Sequence, residues 1–271
     1  MNAQAGGSAY HATDGEAYEV FLGRWTRRLA ELLLDFASFP TDGRLLDIGC
    51  GTGSMTHAMA TRWPERSVIG IDIAPQYIAF ARSQLGPANL HFEVADAVEL
   101  PYEDASFGGA AAQLVLNFVP DPLAALHEIQ RVVVPGGSVV AAVWDFHGGL
   151  VYQRIFWDTA AGIDAGATVA RDKLFSGALA LPDGLPRLFE TAGLDRVERA
   201  SITIRMDYAN FGDYWNPLCG GQGPVGTYLV GLDPALRAHV EEAVARAYCS
   251  GAPDGPRSLA ATAWAVRGEV N

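Results

Sequence analysis

Three observations predict an α/β fold built on a doubly wound parallel sheet. Short apolar segments alternate with helical patterns from residue 44 to residue 144. Three of these segments run into a carboxylate, at Asp47, Asp72 and Asp96, and a glycine run, Gly49-Cys50-Gly51-Thr52-Gly53, follows the first. Alternation of this kind covers a parallel sheet with helices on both faces and puts ligands at the carboxyl ends of the strands. All three carboxylates are expected there.

The chain opens with a small, polar stretch, Met1 to Ala9, which carries no secretory signature. Thr13 to Ala37 reads as one amphipathic helix, with Thr13 and Glu16 at capping-box spacing. Tyr18, Phe21, Leu22, Trp25, Leu29, Leu32, Leu33 and Phe36 form its apolar stripe. Strands are predicted at 44–48, 67–72, 90–95, 109–115 and 137–143, with helices near 54–63, 75–85 and 122–134. The last of these has Asp121 as N-cap, Pro122 at its first position and Pro135-Gly136-Gly137 as its stop. Residues 148–182 lose this rhythm and read as an insertion. A helix at 184–192 and an alternating strand, Val197 to Met206, restore it, and a helix at 234–248 precedes a closing strand, Leu259 to Arg267.

The glycine loop places unpaired N–H groups at a helix N-terminus and lets a ligand approach bare backbone, which suits a nucleotide-like molecule. A dinucleotide fingerprint would be Gly-x-Gly-x-x-Gly, but here the third glycine position is Ser54 and the spacing is Gly-x-Gly-x-Gly. Asp72 can accept from both hydroxyls of a ribose, as acidic residues do in NAD sites too, so it does not discriminate. On the loop alone, a dinucleotide site or a plain tight turn stays open.

The run Leu45-Leu46-Asp47-Ile48-Gly49-Cys50-Gly51-Thr52-Gly53, with Ile71-Asp72 and Asp96-Ala97 followed by Leu100-Pro101, resembles the class I S-adenosylmethionine-dependent methyltransferases of the small-molecule type. Ala263-Trp264-Ala265-Val266-Arg267 resembles the seventh strand of that family. The resemblance spans Gly43 to Arg267 outside the insertions. It implies a Rossmann-like seven-stranded sheet whose last strand is antiparallel, in a single domain. Residues 1–40 would be a helical flap, 41–147 the cofactor-binding core, and 148–182 and 207–250 a helical cap that meets the substrate.

The resemblance also implies a cofactor, S-adenosylmethionine, and residues to hold it. These are Asp47, Gly49, Cys50, Gly51 and Gly53 in the loop, Asp72 and Ile73 at the ribose, Asp96 and Ala97 at the adenine, and Gln113 and Leu114 at the methionine end. Arg24, on the flap, resembles a residue that pairs with the cofactor carboxylate. Asn117 falls where a substrate-facing polar residue sits. Gly108 replaces a common acidic residue, and Leu116-Asn117-Phe118-Val119 lacks the Asn/Asp-Pro-Pro-aromatic sequence of nucleobase and glutamine methylators. The acceptor is then a small molecule, methylated on O, N or C. His147, after Trp144-Asp145-Phe146, is the best-placed candidate base. An NAD(P)-dependent oxidoreductase and a non-catalytic S-adenosylmethionine-binding module are the alternatives.

The bulk properties agree. A net charge of −12 argues against nucleic-acid partners, and no apolar run approaches the roughly 18 residues a membrane span needs. Cys50, Cys219 and Cys249 are odd in number and widely spaced, which implies reduced thiols and a cytoplasmic setting. Arginine in place of lysine suits a GC-rich bacterial genome. His11, His57, His91, His127 and His239 have no ligand-like spacing, so no metal site is expected. Tyr208 to Gly231, aromatic with a glycine-rich tip, reads as a lid over an apolar acceptor.

Overall fold

The computed structural model describes residues 15–221 and 223–271. Thr13, half of the predicted capping box, and His11 lie outside these residues. The chain enters through α1 (Gly15–Tyr18), a π-helical turn (Glu19–Gly23) and α2 (Arg24–Ala37). The core follows as β1 (Arg44–Ile48), α3 (Ser54–Arg62), β2 (Val68–Asp72), α4 (Pro75–Ser83), β3 (Leu90–Val94), β4 (Phe107–Gln113), α5 (Pro122–Val132) and β5 (Val133–Trp144). Next come α6 (Val151–Ala161), α7 (Ala165–Phe175), α8 (Gly184–Ala192) and β6 (Asp195–Tyr208). The chain closes with α9 (Phe211–Leu218), α10 (Gly223–Val230), α11 (Pro234–Cys249) and β7 (Arg257–Glu269).

The seven strands form one sheet in the order β3-β2-β1-β4-β5-β7-β6. β1 to β5 are parallel, and β7 runs antiparallel between β5 and β6, as the closing strand was expected to. β1 has β2 on one side and β4 on the other, so the winding direction reverses at β1 and opens a crevice at its carboxyl end. β1 is buried on both faces because alternate residues serve two cores. Leu45 packs in the core that includes Leu29, Leu33 and Met59, and Leu46 in the core that includes Leu126, Ile129 and Phe189.

Two segments differ from the sequence reading, the first helix and the lid, while a third, 148–182, is helical as the resemblance implied. The first helix is broken by the π-turn at Glu19–Gly23. The stretch 148–182 holds two helices, α6 and α7. α6 buries Tyr152, Phe156, Trp157 and Ala160 at helical spacing, whereas α7 is rich in alanine and has no apolar stripe to advertise it. The predicted lid is the second segment that differs. Residues 211–218 and 223–230 are helical, and Tyr214 and Trp215 are buried with Phe156, Tyr208 and Tyr248 in one aromatic cluster. These rings fill a second layer of core over β6 and β7 and leave no free cover.

Candidate functional site

The crevice at β1 is made by backbone geometry first. Cys50 N–H donates to Ile71 O at 2.8 Å, which clamps the loop to β2. The three loop glycines all have left-handed φ, +63°, +54° and +96°. At Gly53 a Cβ would overlap the Phe92 ring at 2.7 Å, so that glycine serves packing. At Gly51 a Cβ would meet only the Tyr18 ring, at 4.0 Å, so this face of the loop is open but for one aromatic ring.

Asp72 sits at the end of β2, facing this loop. One carboxylate oxygen accepts the Gly51 N–H at 2.9 Å and the other the Ala74 N–H at 2.9 Å. Burial raises its pKa, and the two backbone donors oppose the rise. Ile73, the next residue, is 67% exposed, an apolar side chain held out beside the carboxylate. Asp96 lies exposed after β3 and accepts the Val98 N–H at 3.1 Å, with Ala97 half-buried beside it.

Beneath the loop, Asp47 is 1% exposed. Thr56 Oγ1 donates to one carboxylate oxygen at 2.6 Å, while the other oxygen is buried with no partner. Burial pushes the Asp47 pKa up to about 7. Burial likewise raises the Cys50 thiol well above its ordinary value, so Cys50 is an inert thiol packed in the loop. Gln113, the last residue of β4, donates its amide to the Thr26 carbonyl at 3.1 Å and leaves its own oxygen unpaired. Leu114 follows with φ +62°, a left-handed conformation that costs a non-glycine residue roughly 1–2 kcal/mol. Such strain is concentrated at working sites.

Asp47 and Gln113 project onto the same face of the sheet. Asp47 pairs with Ala111, two residues before Gln113, and alternate residues share a face. Two buried, unpaired acceptor oxygens therefore border the loop. Between them and Tyr18 lies a cavity of about 20 Å³, also lined by Thr26, Thr52 and Ser54. A larger groove of about 450 Å³ runs along β3 and α4, past Arg82, His91 and Glu93, and contains none of the predicted site residues. No cluster of metal-ligand type occurs among the described residues.

Residues 46–141 match the family described as Methyltransferase domain. This segment is a methyltransferase domain. The chain is 41% identical over 132 residues to an O-methyltransferase, cnsE, of Penicillium expansum, covering 47% of this chain and 46% of that protein. It is 34% identical over 151 residues to the 27-O-demethylrifamycin SV methyltransferase of Amycolatopsis mediterranei (strain S699), covering 54% and 52%. The chain spans about half the length of the curated relatives it matches. Among solved structures it superposes on geranyl diphosphate C-methyltransferase from Streptomyces coelicolor A3(2) with a TM-score of 0.54 at 14% identity, covering all of this chain and 92% of that one. That likeness shows the fold, which is the Rossmann-like fold of the class I methyltransferases.

Within and around the methyltransferase domain, the predicted residues fall into two groups. Asp47, Gly49, Cys50, Gly51, Gly53, Asp72, Ile73, Gln113 and Leu114 gather around the crevice, with Asp96 and Ala97 at the neighbouring strand end. Arg24, His147 and Asn117 are not among the residues that line the cavity. Arg24 is paired with Asp213 at 3.0 Å, and its guanidinium stacks 4.2 Å over Trp25. His147 is exposed and lies 5.9 Å from the Phe175 ring, in a turn that Asp145 caps. Asn117 is half-buried in the turn after β4.

Sequence reasoning missed Glu19, Thr26, Thr52 and Ser54. Thr52 and Ser54 stand inside the glycine run and were passed over for its glycines. Thr26 Oγ1 lies 2.9 Å from Ser54 Oγ, and Glu19 accepts the Thr52 hydroxyl at 2.5 Å. No pattern within residues 15–37 signals these two contacts, since they form only when α2 docks.

Proposed function

We propose that the protein binds S-adenosylmethionine in the β1 crevice and transfers its methyl group to a small-molecule acceptor. The observation that carries this reading is Asp72. Each of its oxygens accepts one backbone N–H and keeps a lone pair, so together they suit two vicinal ribose hydroxyls. Exposed Ile73 offers an apolar surface for a purine, and Asp96 and Ala97 lie one strand further along. The unpaired oxygens of Asp47 and Gln113 want donors, and an ammonium group at the amino-acid end of the cofactor supplies them.

Bound there, the cofactor would supply a sulfonium-activated methyl group, with S-adenosylhomocysteine as the leaving group. The chain's own task is positioning. Asp72 fixes the ribose, the bare Gly51 backbone lets the ligand lie close, and Asp47 and Gln113 orient the charged end. One relative named an O-methyltransferase and another named a 27-O-demethylrifamycin SV methyltransferase support an oxygen acceptor as the first class to test. The helical cap of α6, α7 and α9–α11, rich in buried aromatic rings, supports an apolar acceptor. The net charge of −12 speaks against nucleic acid, and the three free cysteines support a reducing, cytoplasmic setting. No helix among the described residues is long and apolar enough to cross a membrane.

Calorimetric titration with S-adenosylmethionine, S-adenosylhomocysteine and NADH tests the reading. Binding of the first two and not the third is expected. Binding of NADH alone would return the site to the dinucleotide alternative. Methyl transfer to phenols, enols and carboxylic acids, followed by mass spectrometry, separates an enzyme from a binding module.

A further inference from the structure

We propose that Trp144 and Tyr152 bind the methyl acceptor, their indole N–H and phenolic O–H donating to its oxygen atoms, so that the acceptor is an apolar compound carrying a carbonyl or phenolic oxygen. The inference rests on the assignment of the β1 crevice to S-adenosylmethionine and names the substrate class for that site.

The two residues stand beside the Gln113 end of the crevice. Gln113 on β4 pairs with Ala142 on β5, and Trp144 lies two residues further toward the carboxyl end on the same face. Trp144 pairs with Ala263 of β7, and Leu150, just before α6, bridges to Ala261 on the same edge of β7. The start of α6, which carries Tyr152, therefore lies about 7 Å beyond Trp144 along that edge. The Tyr152 carbonyl accepts the Tyr214 hydroxyl at 2.7 Å, which fixes this first turn against α9. Phe21 meets the Tyr152 ring edge-on, with centroids 6.5 Å apart. Burial, and less strongly the nearby Tyr152 phenol, raises the pKa of Tyr18, which lines the crevice.

Each residue offers a proton that the chain does not take up. The Trp144 indole N–H is buried with no partner, and an indole nitrogen can only donate. Tyr152 is oriented by a short series of buried hydrogen bonds whose direction is fixed. The Trp157 indole donates to Gln153 Oε1 at 3.3 Å, which turns the Gln153 amide nitrogen toward Tyr152, where it donates to the hydroxyl oxygen at 3.0 Å. Within the described residues that oxygen only accepts, so its own proton is free for a ligand. Burial pushes the Tyr152 pKa up to about 12 against the Gln153 contact, and the hydroxyl stays protonated at neutral pH. Buried donors left without acceptors are costly, and the aromatic layer around these two supplies none. A carbonyl or phenolic oxygen has the lone pairs they need, whereas a hydrocarbon or an ammonium group has none.

The test uses protein saturated with S-adenosylhomocysteine, isotopically labelled at the indole nitrogens, and probes of similar size: phenol, acetophenone and toluene. The Trp144 resonance is the one missing from the spectrum of Trp144→Phe. It is expected to move downfield with phenol or acetophenone, as a free N–H does on gaining an acceptor, and to stay in place with toluene. Tyr152→Phe keeps the ring and removes the hydroxyl. It is expected to weaken binding of the oxygen-bearing probes roughly three- to tenfold, the size of one neutral hydrogen bond, while S-adenosylhomocysteine binds within threefold of wild type. Purely structural roles would lower the melting temperatures without separating phenol and acetophenone from toluene. An indole resonance that neither oxygen compound moves, or that toluene moves equally, overturns the proposal, as does wild-type affinity for both oxygen compounds in Tyr152→Phe. Should Trp144→Phe fail to fold, the Tyr152→Phe comparison decides alone. These outcomes leave the cofactor reading standing where S-adenosylhomocysteine binds, and wild-type protein that does not bind it overturns the reading and the proposal together.

Discussion

The Asp72 carboxylate accepts the Gly51 N–H at 2.9 Å, and this bond ties the end of β2 to the glycine loop after β1. One residue thus shapes the loop and, in the proposed site, would face the ligand. Its second oxygen holds the Ala74 N–H and so starts α4. Substitutions at Asp72 will mix structural and binding effects unless both are measured.

Asp72→Ala is expected to weaken S-adenosylhomocysteine binding by about a hundredfold, since each hydrogen bond to a carboxylate is worth roughly 1.5–3 kcal/mol. It should also lower stability by about 1–3 kcal/mol, because the Gly51 and Ala74 N–H groups lose their acceptor. Calorimetry and denaturant melts on the same preparation separate the two. An affinity within threefold of wild type would take Asp72 out of the site.

Gly51→Val tests the loop's bare face. Its φ of +54° suits glycine, and a β-branched side chain there adds strain of roughly 1–2 kcal/mol. The side chain would also stand where the ligand must lie. The variant is expected to fold with a reduced melting temperature and to lose cofactor binding. Normal binding would show that the ligand does not rest on this loop.

Asp47 makes stability depend on pH. Its pKa rises from 3.8 to about 7 on folding, so between these values the unfolded chain releases a proton that the folded chain keeps. Stability therefore falls as pH climbs through this window, by about 4 kcal/mol on an order-of-magnitude reckoning, and levels off above it. Asp47→Asn removes the ionisation. Its melting temperature relative to wild type is expected to be higher at pH 7.5 than at pH 5, and a difference that does not change with pH would show that Asp47 is not held protonated.

Arg24→Ala should act on stability and not on the cofactor. The guanidinium pairs with Asp213, stacks on Trp25 and lies 5.4 Å from the Tyr208 ring, joining α2 to α9. Loss of a partly exposed pair and a stacking contact is worth about 1–2 kcal/mol. The melting temperature is expected to drop while the S-adenosylhomocysteine constant moves by less than threefold. A large rise in that constant would restore Arg24 to the cofactor carboxylate.

The sequence by itself determined the sheet and the crevice. Strand-length apolar runs, the glycines after Ile48, and the carboxylates at 47, 72 and 96 are local signals, because a strand's end and the turn that follows it are decided by neighbouring residues, whereas Ile73 and Gln113 were named from the family resemblance. The helix starts at Asp121 and Pro122 were readable for the same reason, and Asp121 does accept the Ala124 N–H. Tertiary structure alone decided what meets the crevice. Arg24 faces Asp213 across 189 positions, and Glu19 faces Thr52 across 33. The π-turn at Glu19–Gly23 tucks Glu19 under Gly23, and the aromatic residues of α6, α9 and α11 close on each other. Periodicity shows that a face is apolar but not which face it will meet. The partners of Tyr18, Glu19 and Trp215 are set by packing between elements distant in the chain, and no local pattern encodes them.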